Sequence, residues 1–144
     1  MNSNNFQTLK LNAELNKLPE VSDFVKKIMG ECGCSKAMMG SIDIVVEEVY
    51  VNIASYAYDE DAVDRPSWIE CGADGDDFYL IFRDNGREYD PLKKEDPVIG
   101  DPLMMTIGGY GIYMVKTIAD EITYRYDREN GQNILTIIKK IEKA

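Results

Sequence analysis

The chain has 144 residues, 44% hydrophobic and 29% charged, a length and mixture that suit one globular domain with a sizeable core and not a disordered or fibrous chain. Its 16 basic and 26 acidic residues leave a net charge of -10, which opposes sequence-independent contact with a phosphate backbone and argues against nucleic acid as a partner. Histidine is absent, so the usual general base and the commonest metal ligand are excluded, and any base must be a carboxylate or a rarer group.

The N-terminal "MNSNNFQTLK" lacks the basic-then-apolar order of a signal peptide, and no apolar run is long enough to cross a membrane, so a cytoplasmic protein with no membrane partner is expected. "FQTLKLNA" alternates apolar and polar residues, with Phe6, Leu9, Leu11 and Ala13 as its apolar set, and predicts a first strand. In "LPEVSDFVKKIMGECG" the apolar residues recur at a helical period, and Gly30 or Gly33 can end the helix. Cys32, Cys34 and the distant Cys71 cannot all pair within the chain, which agrees with a reducing compartment. Three thiolates without histidine also fall short of a structural zinc site. Ser35 offers an N-cap to a long second helix, "KAMMGSIDIVVEEVYVNIASYAY".

"SWIECGA" and "DFYLIFRD" read as two strands joined by the turn residues of "ADGDD". From Asn85 to Gly109 no period is kept; glycines, Pro91, Pro97 and Pro102 alternate with charges, the mark of a lid, a binding loop or disorder, and the segment is the functional loop candidate. "YGIYMVKTIAD" resumes a helical period, and "EITYRYDRENGQNILTIIKKI" gives two strands around Asn-Gly, the signal for a type I′ hairpin. The order strand, two helices, two strands, lid, helix, two strands predicts an α+β two-layer sandwich, a mainly antiparallel sheet with helices on one face.

Three places carry chemistry. On a helical wheel of residues 41 to 58 the apolar arc takes Ile42, Val46, Val49, Ile53, Tyr56 and Ala57, and Asp43 and Glu47 lie on a far side. Glu48, Asn52 and Ser55 form a second polar stripe about 130° away from that one. This stripe is either the wall of a pocket or the margin of a wide wet face. After the strand ending at Asp84, Asn85-Gly86 makes either a plain turn or a place where a flat ligand lies against backbone, with Asp84 as its hydrogen-bond acceptor. Gly108, Gly109 and Gly111 stand before a helix, whose free N–H groups and positive dipole end suit a phosphate, although no Walker lysine is present.

Together, and in this order, these motifs resemble the nucleotide-binding domain shared by gyrase, Hsp90, histidine kinases and MutL, the Bergerat-type ATP-binding fold. There "ExxxN" on a helix, "DxG" after a strand and glycines closing a lid form one ATP site. More closely, "RDNGREYDPL" and "IGGYGIYMVKTIADEITYRYDRENGQNILTIIKK" look like the small anti-sigma factors with serine/threonine-protein kinase activity. The resemblance implies that Asp84 accepts the adenine amino group, with Gly86 giving the base room, and that Asn52 coordinates a Mg²⁺ bridging the phosphates. Glu48 would be the general base toward a serine hydroxyl or water. Gly109 and Gly111 would hinge a lid over residues 91 to 109 and donate N–H groups to the phosphates. The implied partners are a sigma factor and an anti-sigma factor antagonist, with a homodimer built through the sheet edge or first helices. Residues 95 to 110 hold no Lys or Arg, where kinase members of the family often carry a basic residue. That departure keeps a second expectation open, a non-catalytic nucleotide-dependent binding switch. A histidine-kinase catalytic domain would need its phosphoacceptor from another chain, since this one has no histidine.

Overall fold

The computed structural model of the chain describes residues 6–93 and 111–144. In chain order the elements are β1 (Gln7–Asn12), a short 3-10 turn (Leu15–Lys17), α1 (Leu18–Glu31), α2 (Lys36–Asn52) running on into a π-helical turn (Ile53–Ala57), β2 (Pro66–Asp74), β3 (Asp77–Asp84), a second 3-10 turn (Pro91–Lys93), α3 (Gly111–Ile118), β4 (Glu121–Asp127) and β5 (Gln132–Lys140). The strands form one sheet in the order β1-β2-β3-β5-β4, antiparallel at each pairing. The α+β two-layer sandwich expected from the sequence is the observed fold.

Alternation builds the sheet's inner face. Along β3 every second residue, Phe78, Leu80, Phe82 and Asp84, is buried, so three apolar side chains face the helices and the fourth position delivers a carboxylate to the same side. Against them lie Val25, Ile28 and Met29 of α1, Ile42, Val46 and Val49 of α2, and Val115 of α3. Each such side chain, once fully buried, is worth about 1.5–3 kcal/mol, which ties α2 and α3 firmly to the sheet that carries Asp84.

Local signals explain the boundaries. Ser35 caps α2 by accepting from the Met38 N–H at 3.1 Å. Gly33, at φ 79°, takes the left-handed conformation that ends α1, whereas Gly30 stays inside it. The β2–β3 loop has two residues, and Gly75 at φ 62° fills the first position, where a type II′ hairpin needs glycine.

Two expectations are corrected. Tyr56 was placed on the apolar arc of the second helix, but it is 71% exposed. The wheel assumed an α-helical period throughout, and the π-helical turn after Asn52 widens the spacing and carries Tyr56 off the core face. The β4–β5 turn is not type I′, because Asn130 does not take a positive φ. Four residues separate Asp127 from Gln132, and the Asp127 carboxylate accepts from the N–H groups of Glu129 and Asn130 at 3.1 and 3.3 Å, leaving only Gly131, at φ 64°, left-handed. The lid over residues 91 to 109 lies, beyond Lys93, outside the described residues, as does Gly109. Among the described residues no helix is long and apolar enough to cross a membrane.

Candidate functional site

A cavity of about 840 Å³ opens between α2 with its π-helical turn, the ends of β3 and β5, and the start of α3. Glu48, Asn52, Asp84 and Gly111, from three separate stretches of sequence, all line it. The polar stripe of α2, Glu48, Asn52 and Ser55, therefore lines the cavity, with Asn52 and Ser55 also open to solvent.

At one end stand Glu48 and Asn52, one helical turn apart on α2. Neither side chain makes a hydrogen bond to another described residue, and Asn52 is exposed. The Glu48 carboxylate lies against the first residue of α3: a Cβ on Gly111 would overlap Oε2 of Glu48. Glycine at this position thus lets the helix start close on the carboxylate. Burial, and then the charge of Glu47, push the Glu48 carboxyl above the usual carboxylate range, toward the range in which a carboxylate serves as a general base.

At the other end Asp84 is only 6% exposed, and burial raises its pKa against the lowering effect of two hydrogen bonds. Both bonds fall on the same oxygen: Oδ1 accepts from the Gly86 N–H at 2.9 Å and from Nδ2 of Asn133 at 3.0 Å. Gly86 stands beside the cavity for a reason the sequence did not suggest. A Cβ there would overlap the Ala57 carbonyl, so the glycine admits the backbone of the π-helical turn, and the Arg87 N–H then donates to that carbonyl at 3.0 Å. Tyr58 pins the same loop. Its hydroxyl bonds the Pro66 carbonyl and accepts from the Asn85 N–H at 2.7 Å, and burial pushes its pKa up to about 12, so it stays neutral.

Three lining residues were missed from the sequence. Asn133 and Tyr124 sit on β5 and β4 and meet through a 2.6 Å hydrogen bond from the Tyr124 hydroxyl to Oδ1 of Asn133. The available signal for Asn133 was a polar residue sharing the inward parity of Leu135 and Ile137 on an otherwise apolar face. Arg87 is the one cation among the cavity-lining residues described, and it pairs with Asp59 at 3.2 Å between two exposed side chains.

Residues 11–139 match the family of the histidine kinase-like ATPase domain. The chain belongs to that family. No curated protein matches the chain. A histidine kinase-like ATPase domain implies nucleotide binding, and the cavity carries polar side chains at both ends, Glu48 and Asn52 at one and Asp84 at the other. The donor set also fits a metal carried in by the ligand. Asn52 supplies one neutral oxygen beside the Glu48 carboxylate, which suits a Mg²⁺ that keeps waters and takes phosphate oxygens. Among the described residues no cluster of three or more acidic or thiol groups could hold a resident metal.

Proposed function

We propose that the protein is an ATP-binding anti-sigma regulatory factor that phosphorylates a serine or threonine of an anti-sigma factor antagonist. The observation carrying this reading is the convergence of Glu48, Asn52, Asp84 and Gly111 on one cavity, with the base-like carboxylate at a helix start. Asp84 would accept the exocyclic amino group of adenine. Asn52 would hold the Mg²⁺, which neutralises charge on the transferring phosphoryl group. The first N–H groups of α3 would meet phosphate oxygens. Glu48 would take the proton from the attacking hydroxyl as the new O–P bond forms, and ADP would leave with the bridging oxygen. The sigma factor would be a second partner, bound without chemistry, and a homodimer is the assembly proposed by the family resemblance.

The test is transfer of labelled γ-phosphate from ATP with Mg²⁺ to candidate antagonist proteins. Label on a serine or threonine is the expected result; ATP binding without transfer to any of them favours the second reading, a non-catalytic nucleotide-dependent switch. Two observations support that alternative. Residues 95 to 110 contain no Lys or Arg, and the lining cation Arg87 is already paired with Asp59.

A further inference from the structure

The Asn133 side chain makes five contacts, and its orientation follows from the chemistry of its partners. The carbonyl oxygens of Gly86 and Arg87, at 3.3 and 2.9 Å, can only accept, so the atom facing them is the NH₂ group. The Tyr89 N–H, at 3.1 Å, can only donate, so the atom facing it is Oδ1, which also takes the Tyr124 hydroxyl. The amide cannot flip without opposing donor to donor and acceptor to acceptor. Its NH₂ group is thereby held 3.0 Å from Oδ1 of Asp84.

Oδ1 of Asp84 is then doubly occupied, by Asn133 and by the Gly86 N–H, whereas Oδ2 has no donor among the described residues. We propose that Asn133 is the residue that sets base selectivity. By committing Oδ1 and holding the 86–89 loop, it leaves Oδ2 a pure acceptor in the cavity wall, so the site takes a 6-aminopurine nucleotide and rejects a 6-oxopurine one. A purine amino group donates to Oδ2; an oxo group in its place sets two acceptors face to face and leaves Oδ2 unpaired beneath the bound base. Without Asn133 the carboxyl loses a donor that favours its ionised form, takes a proton more readily, and can then donate to an oxo group. Asn133 acts through Asp84 and is a positioning residue. The proposal rests on Asp84 being the base acceptor.

The experiment measures Kd for ATP and for inosine triphosphate, which carries oxygen in place of the 6-amino group, each with Mg²⁺ and the full chain. Wild type should prefer ATP by a factor on the order of 10–100, the cost of leaving one acceptor without its donor under the bound base. In Asn133→Ala the preference should fall about tenfold. In Tyr124→Phe, which keeps the ring and removes one donor to the amide, it should fall about threefold, the size of one neutral hydrogen bond; this milder variant carries the test if Asn133→Ala does not fold. Equal weakening of both nucleotides in the variants would make Asn133 merely structural and overturn the proposal. Equal binding of the two by wild type would overturn it and leave nucleotide binding intact. Binding of neither by wild type would overturn the proposed function as well.

Discussion

The two ends of the cavity are built on different principles. The Asp84 end is finished: a strand end, a glycine pressed on a neighbouring backbone, and a polar hub at Asn133 fix each group through hydrogen bonds from β3, β4, β5 and the 86–89 loop. The Glu48 end is open, with two polar side chains that have no hydrogen-bond partner among the described residues and a carboxylate lying against the start of α3. Preorganisation where a ligand is recognised favours selectivity, since partners already held in place lose little freedom on binding. Unpaired groups where charge moves leave their bonding capacity for the transition state.

The largest expected effect lies at the open end. Glu48→Gln should keep nucleotide affinity while phosphoryl transfer falls by a factor on the order of 10² or more, the loss of a general base. Wild-type transfer should rise with pH through a midpoint above the ordinary glutamate range, because burial and Glu47 disfavour the ionised form that acts as base. Single-turnover rates across pH check both, and unchanged transfer in Glu48→Gln would remove the residue from the chemistry.

Next in size is Asp84→Asn, which exchanges a pure acceptor for an amide. Nucleotide affinity should fall about 10- to 100-fold, as for loss of a hydrogen bond to a charged group. Stability should move the other way. The folded pKa is raised by burial, so between the unfolded and folded values the native state binds more protons, and stability falls as pH rises through that window. At neutral pH the unliganded variant should melt no lower than wild type. Calorimetry and thermal melts measure the two; unaltered affinity would undo the assignment of the recognition end.

The smaller effects set one kind of substitution at both ends. Gly86→Ala drives a Cβ into the Ala57 backbone and should cost about 1–3 kcal/mol of stability, as overpacking does. Among the described residues Gly111→Ala meets only the tip of the Glu48 side chain, which can move, so its stability should change by less than about 0.5 kcal/mol. Transfer should still fall, because the carboxylate is displaced. Denaturant unfolding of the two variants gives the comparison, and equal losses would mean that the ends are equally rigid.

The sequence by itself determined the elements and their order, because hydrophobic period, the Ser35 cap and the hairpin glycine act over a few residues and need no distant partner. It also marked Glu48 and Asn52, since one helical turn sets residues four apart on one face wherever that helix packs. Only the tertiary structure decided that Asn133 holds Asp84, 49 positions away along the chain, that Arg87 reaches Asp59, and that Gly86 makes room for Ala57. Such meetings follow from strand register and from the packing of the π-helical turn, and no local pattern of residues encodes them. Tyr56 shows the same limit from the other side: a wheel with a fixed period places it in the core, and the change of helical spacing after Asn52 puts it in solvent.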